Sequence, residues 1–270
     1  MHAFARSIWA ARYSKANIFA MMLSYTSYFD ASGKKEQKDH KETVVAGIVA
    51  PVGSWERFEC DWKLALIKYG VPYFHMKEFI ASQGAFKDPK WKSEGYRAQF
   101  LSVLVEIVSG VTLMTVARVL PHSLFDELNG RYKIEPRFNP YVICGLDCAH
   151  RVMKHIRKLY SDDAPIEYIF DQGDSGAGKL STEMQRVGMP IPIFRYSKPV
   201  KNKPEIVPTI QLQAVDFIAW ELRRVSATQD LPEFRQYRKS IMALNQMQQK
   251  TWKTYVDLNN FIKLMEIEPR

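Results

Sequence analysis

Hydrophobic and polar positions alternate between strand-like runs and helical stripes along this chain. Residues 24–30 are rich in aromatic and β-forming types, and the polar residues that follow Asp30 break the pattern as a turn would. Residues 43–50 form a nearly continuous apolar run that Pro51 closes, which is typical of a strand covered on both faces. The two runs predict a hairpin whose first strand ends at Asp30.

Helical spacing of apolar residues follows this hairpin. Residues 54–69 carry such a stripe, with Ser54 as the predicted cap and Gly70 as the predicted stop. A second helix is predicted over residues 96–109, with Gly110 ending it. These two segments predict a helical layer on the sheet.

The rest of the chain continues the alternation of strands and helices. The pattern predicts strands over 111–120, 166–171 and 191–196, and helices over 141–160, 180–187 and 210–224. Such an order is typical of a layered α/β sheet and excludes a helical bundle or a β-sandwich. A chain of 270 residues with 46% hydrophobic residues can bury one large core.

Three regions follow from the pattern. Residues 1–22 hold three basic and no acidic residues, and are expected to be a poorly ordered leader or the result of a start codon assigned too early. Residues 23–228 are predicted to form the α/β domain. Residues 229–270 are predicted to form a polar helical extension that packs on the sheet, binds a partner protein or supports a homodimer.

Charge and cysteine content narrow the function classes. With 38 Lys and Arg against 29 Asp and Glu, the net charge of +9 favours polyanionic partners such as nucleic acid. No apolar run reaches the roughly 20 residues of a membrane span. The cysteines Cys60, Cys144 and Cys148 lack a disulfide-framework spacing, which suits the cytoplasm, and are interpreted as buried thiols. His150 and His155 follow the second pair, but the spacing disfavours zinc.

Three separated aspartates are the main candidates for chemistry. Asp30 and Asp171 each end an apolar β run and precede a glycine-containing loop, and ligands bind outside the carboxyl ends of strands in open α/β sheets. Asp216 lies inside an apolar helix, where a carboxylate needs compensation. A single such aspartate usually forms a turn or cap, and Asp216 alone would pair with Arg223 or Arg224 only at an awkward spacing. Taken together, the three predict a shared divalent cation.

A fourth acidic group has several candidates. Glu78 and His75 stand three residues apart, which predicts one helical face with Glu78 as a ligand and His75 as a proton relay. His75 bonding a backbone carbonyl is the alternative. Asp174 and Glu221 are further candidates for the ligand position, and Glu78 ranks first.

Substrate contacts are predicted close to the aspartates and on a lysine-rich loop. In the loop 197–208 the lysines are candidates for phosphate contacts, although a solvated loop is the more common explanation of such lysines. Phe194 and Tyr196 stand nearby for base stacking, and the basic, aromatic stretch 87–97 is a second surface. The candidate substrate contacts are Ser32, Gln213, Lys198 and Lys201.

Two other site types are excluded by spacing. The glycine-containing loop at 171–179 lacks the four residues that separate Gly from Gly-Lys in a phosphate-binding loop. Neither Ser32 nor Ser175 stands in a recognisable nucleophile motif with a histidine. The sequence therefore favours neither an ATPase nor a serine hydrolase.

The order of several motifs resembles a bacterial family known as domain of unknown function 3800. The resemblance covers residues 25 to about 224. Its motifs are FDASG, VVAGIVAPVGSWERFECDW, FHMKEF, IFDQGD and LQAVDFIAWE.

This resemblance implies a ribonuclease H-like fold with acidic residues on the first strand, a later strand and the final core helix. Asp30, Asp171 and Asp216 occupy those positions, whereas Ala31 stands where many relatives have glutamate. The site would then hold Mg²⁺ or Mn²⁺ through oxygen ligands, and hydrolysis of the phosphodiester would leave a 5′-phosphate and a 3′-hydroxyl.

Four functional hypotheses remain open from the sequence. The first is a metal-dependent nuclease acting on DNA or RNA, and the second is a nucleic-acid-binding protein of the same fold that does not cleave. A phosphoesterase for small nucleotides and a scaffold that recruits a partner through its C-terminal helices are weaker alternatives.

Overall fold

The computed structural model describes residues 24–228, apart from 38, 39, 161 and 174, together with residues 251–256, 261–263, 265 and 267. The predicted leader, the Asp174 candidate and most of the predicted C-terminal extension lie outside the described residues.

A six-stranded mixed sheet organises the described chain. The strand order is β5-β4-β1-β2-β3-β6. The strands β1, β2 and β3 pair antiparallel, whereas β4 is parallel to β1, β5 is parallel to β4, and β6 is parallel to β3. The strands are β1 Tyr25–Ser32, β2 Glu42–Pro51, β3 Met114–Pro121, β4 Ile166–Asp171, β5 Ile193–Arg195 and β6 Thr251–Tyr255.

Helices cover both faces of the sheet. Short 3₁₀ helices, Gly84–Phe86 and Pro89–Lys92, lie between the second and third α-helices. The helices are α1 Val52–Tyr69, α2 Met76–Ala81, α3 Glu94–Val111, α4 His122–Tyr132, α5 Pro140–Leu159, α6 Ala177–Arg186 and α7 Ile210–Thr228. The predicted α/β class, a mixed sheet with flanking helices, is confirmed.

Strand alternation sorts the core into two layers. Tyr28 and Ile169 point to the layer formed with α1, α3 and α7, while Phe29 and Phe170 point to the layer formed with α5. The rings of Phe29 and Phe170 stack with centroids 4.5 Å apart. Gly47 makes this packing possible, since a Cβ there would lie 2.4 Å from the Phe29 ring.

Several predicted boundaries differ from the structure. Strand β1 continues to Ser32, so Asp30 lies inside the strand and not at its end. Helix α1 begins at Val52 without a side-chain cap, so the predicted Ser54 cap is wrong, whereas Gly70 ends the helix in the left-handed conformation as predicted. Helix α3 runs through Gly110 because burial of its last turn outweighs one glycine.

The C-terminal segment also differs from its prediction. Residues 251–255 form strand β6 and not a helix, and they pair with β3. Val256, Phe261 and Met265 are buried in the layer of α5. The described part of the extension therefore packs on the sheet.

Two further corrections concern single features. Cys60 is exposed, contrary to the expectation of three buried thiols, while Cys144 and Cys148 are buried. Helix α4 was not among the sequence predictions. Among the described residues, no helix is long and apolar enough to cross a membrane.

Candidate acidic site

Two of the predicted aspartates lie on adjacent parallel strands. Register pairs Phe29 with Phe170, so Asp30 and Asp171 follow as neighbours at the carboxyl edge of the sheet. Each stands two residues after a side chain that points to the α7 layer, and the period of a strand is two. Both carboxylates therefore lie on the α7 side.

The Asp30 and Asp171 carboxylates are held by backbone donors. Asp30 Oδ1 accepts from the N–H of Ala31 at 2.8 Å. Asp171 Oδ1 accepts from the N–H of Ser197 at 3.0 Å, and its Oδ2 accepts from Gly173 at 3.3 Å. Burial raises the pKa of Asp171, although these hydrogen bonds oppose the rise.

Asp216 enters the same region from helix α7. Its Oδ2 accepts from the N–H of Met76 at 2.6 Å, at the start of α2. Burial raises the pKa of Asp216 to about 7, and the negative charge of Asp171 adds to the rise while the Met76 N–H opposes it. Asp171 therefore lies close enough to Asp216 for its charge to act on that carboxyl group.

A cluster of three ionisable side chains, Lys198, His75 and Glu78, lies next to these two aspartates. Lys198 Nζ lies 3.2 Å from Glu78 Oε1 and 3.5 Å from His75 Nδ1, and the hydroxyl of Tyr73 donates to Glu78 Oε2 at 2.7 Å. His75 and Glu78 are 3.4 Å apart, but His75 is the N-cap of α2 and not part of one helical face with Glu78. The structure thus brings Lys198, His75 and Glu78 together.

The ionisation of this cluster follows from its contacts. Burial and the charge of Lys198 lower the pKa of His75, so its imidazole is uncharged at neutral pH. Burial raises the pKa of Glu78, but hydrogen bonds from Tyr73 and Lys198 outweigh it, and the net pKa lies below the usual value. Glu78 is therefore an anion that Lys198 neutralises.

Gln213 has a different place from the one expected. Its Oε1 accepts from Trp62 Nε1 at 3.1 Å and from the N–H of Phe74 at 3.0 Å, while its Nε2 donates to the carbonyl of Ser197 at 3.0 Å. The side chain is 1% exposed. The geometry gives the predicted substrate contact no support, and Gln213 instead holds three segments around the site.

Three other predicted site residues, the substrate contacts Ser32 and Lys201 and the candidate ligand Glu221, lie in different surroundings. Ser32 Oγ accepts from Arg223 Nε at 2.8 Å, which directs Arg223 toward β1 and not toward Asp216. Lys201 is exposed in the turn that follows Val200. Glu221 is buried, at 1% exposed.

Sequence reasoning missed the groups that hold the carboxylates. Asp216 and Asp171 are bound by the backbone N–H groups of Met76 and Ser197. A backbone donor has no residue signature, so nothing in the sequence could have marked them. Tyr73 was open to detection, because it lies close to the His75 motif in the sequence.

The carboxylate oxygens of Asp171 and Asp216 are the kind of donor that a hard divalent cation prefers, but they are only two residues. No group of three or more His, Cys, Asp or Glu side chains in the described part of the chain is arranged to hold a metal ion. Mg²⁺ usually binds through one or two carboxylates, with waters and substrate phosphates completing its shell. Asp171 and Asp216 supply the two carboxylates that such a site needs.

Among known proteins, this chain is similar in structure to a ribonuclease HII complex and matches no protein family. No protein-family model matches the chain, and no curated protein matches it. A solved structure of the complex of PCNA with ribonuclease HII from Archaeoglobus fulgidus is similar at 15% identity, covering 80% of each chain with a TM-score of 0.38. At that TM-score, the similarity transfers neither a reaction nor a residue to this chain.

Proposed function

We propose that this protein is a metal-dependent nuclease that hydrolyses phosphodiester bonds of DNA or RNA. The observation that carries the proposal is the placement of Asp30 and Asp171 on neighbouring strands, on the side of the sheet from which α7 brings in Asp216. Two carboxylates in mutual repulsion cost stability unless something compensates them. The resemblance to domain of unknown function 3800 supports the same three residues.

Asp171 and Asp216 would hold Mg²⁺ or Mn²⁺, with Asp30 beside them. A divalent ion at such a site activates water and neutralises charge on the leaving oxygen of the phosphodiester.

The protein's own residues supply the surroundings for that chemistry. The uncharged imidazole of His75 is able to accept a proton, and the Lys198 ammonium provides positive charge beside the acids. The Met76 and Ser197 N–H groups fix the orientation of the Asp216 and Asp171 carboxylates. Preorganised side chains of this kind lose little entropy when substrate binds.

Charge supports a nucleic-acid substrate. The chain carries +9, and neutralising phosphates with Lys and Arg releases counterions from nucleic acid. Lys201 is exposed on the loop that also carries Lys198. This loop is therefore the proposed contact surface for the phosphate backbone.

A second candidate function is a nucleic-acid-binding protein that does not cleave. Ala31 follows Asp30 where many members of the resembled family have glutamate, and the described residues include no ready-made group of three metal ligands. This candidate predicts binding that EDTA leaves unchanged.

Cleavage assays separate the two functions. Labelled single-stranded, duplex, hybrid and branched nucleic acids are incubated with Mg²⁺, Mn²⁺ or EDTA, using wild type, Asp171→Asn and the control Asp61→Asn, whose carboxylate lies on α1. We expect metal-dependent products from wild type and the control, and a loss of at least about 100-fold in Asp171→Asn. Binding without products in any metal would replace the nuclease with the non-cleaving candidate.

A further inference from the structure

Lys198 does not point freely into solvent but is bound next to the acidic site. Its ammonium is within 3.2 Å of Glu78 Oε1, and its side chain is 41% exposed. Ser197, the residue before it, donates its N–H to Asp171 Oδ1 at 3.0 Å, and Met76, two residues before Glu78, donates its N–H to Asp216 Oδ2 at 2.6 Å. The contacts of its neighbours therefore hold Lys198 near both aspartates while its ammonium is bound to Glu78.

Glu78 is built to hold that ammonium. Tyr73 donates to its Oε2 at 2.7 Å, and Gly84 packs against the same oxygen. A Cβ at Gly84 would lie 1.9 Å from Oε2, and the backbone φ of +56° there favours glycine. With Oε2 fixed in this way, Oε1 faces Lys198 and His75.

This arrangement changes the role expected for Glu78. Both of its oxygens already have partners within the protein, one in Tyr73 and the other in Lys198. A ligand role would require Glu78 to exchange the ammonium for a metal. The contacts instead make Glu78 the residue that positions Lys198 beside the Asp171 and Asp216 pair.

We propose that Lys198 is a cation, tethered by Glu78, that opposes the binding of a divalent metal at Asp171 and Asp216. The inference rests on the proposed function, since it concerns metal binding at the same carboxylates. Lys198 thus sets the metal affinity of the site.

Simple electrostatics gives the direction and size of this effect. An ammonium held close to two carboxylates repels a divalent ion that approaches them. Partial exposure of Lys198 weakens the effect through solvent screening. Removing its charge is therefore expected to tighten metal binding by about tenfold, a moderate effect for a partly screened charge.

Direct Mn²⁺ binding tests the proposal without an activity assay. Free Mn²⁺ is measured by electron paramagnetic resonance during titration of wild type, Lys198→Met, Lys198→Arg and the matched control Lys201→Met. Lys201 is exposed in the same loop, so the control removes the same charge from a similar position. Asp216→Asn, alone and combined with Lys198→Met, shows whether the measured site is the acidic one.

The expected pattern is specific. Lys198→Met binds Mn²⁺ about tenfold more tightly than wild type, while Lys198→Arg and Lys201→Met stay within about twofold of it. Adding Asp216→Asn to Lys198→Met removes the gain. Circular dichroism of each variant establishes that it is folded, and Lys198→Gln replaces Lys198→Met if the latter is not.

Each other outcome overturns the inference in a recognisable way. Equal or weaker Mn²⁺ binding by Lys198→Met, with binding still dependent on Asp216, removes the tethered cation but leaves the proposed nuclease site. An equal gain in Lys201→Met reduces the effect to overall charge. Absence of Asp216-dependent Mn²⁺ binding in every protein rejects both the inference and the metal site on which it rests.

Discussion

At the scale of single residues, the ionisation of Asp216 is the most informative property of the site. Its carboxylate is partly buried near Asp171, and burial raises its pKa to about 7. In the unfolded chain the same group ionises near 3.8. The folded protein therefore holds this proton more tightly than the unfolded chain does.

This difference predicts how stability depends on pH without metal. Between about pH 4 and about pH 7 the folded state binds more protons at Asp216, so its contribution to stability falls as pH rises and then levels off. At about pH 8 this difference of about three pKa units costs the folded protein about 4 kcal/mol, and Asp216→Asn avoids that cost, so we expect the variant to gain stability relative to wild type at this pH. Thermal unfolding in EDTA at about pH 5 and about pH 8 measures this gain.

The control for this prediction is Asp61→Asn on α1, whose side chain is 43% exposed and pairs with Arg57. Its stability relative to wild type is expected to change little between the two pH values. A parallel pH dependence for wild type and Asp216→Asn would contradict the raised pKa.

At the scale of elements, Gln213 of α7 joins segments that are distant in sequence. Its amide bonds Trp62 on α1, the backbone of Phe74 before α2, and the carbonyl of Ser197 after β5. Ser197 in turn donates its N–H to Asp171. One buried amide thus aligns α1, α2 and the lysine loop around the acids.

Removing this amide is expected to destabilise the protein and loosen the site. Gln213→Ala loses three hydrogen bonds and leaves buried groups without partners, which predicts a loss of about 2–4 kcal/mol in the free energy of unfolding. Urea unfolding measures the loss, with the exposed Gln185→Ala of α6 as the control. A loss equal to that of the control would show that solvent satisfies these groups.

At the scale of the whole molecule, the C-terminal segment completes the sheet and its second core. Strand β6 covers the edge of β3. Phe261 is 4% exposed, and its ring lies 5.3 Å from that of Phe138 in an edge-to-face arrangement. Covering an edge strand protects it from pairing with other chains.

Phe261→Ala tests whether this segment belongs to the cooperative fold. Loss of a buried aromatic ring is expected to lower the free energy of unfolding by about 3–5 kcal/mol, within a single transition. Val207→Ala, at a residue that is 82% exposed, is the control. An effect no larger than that of the control would place the segment outside the folded domain.

Local patterns in the sequence determined much of the secondary structure. Strand β4 has the bounds that its apolar run predicts, and Gly70 ends α1 because glycine adopts the left-handed conformation at low cost. Local signals failed where packing outweighed them, as at Gly110, which lies inside α3. They also failed at β6, where pairing with β3 makes residues 251–255 a strand.

The sequence by itself determined the α/β class, the charge and the choice of Asp30, Asp171 and Asp216 as candidate residues, because each depends on composition or short-range pattern. Only the tertiary structure decided that Asp171 and Asp216 interact, that Lys198 pairs with Glu78, and that Gln213 is occupied within the protein. These contacts join residues far apart in sequence. They depend on strand register, helix placement and backbone donors, none of which leaves a local signature.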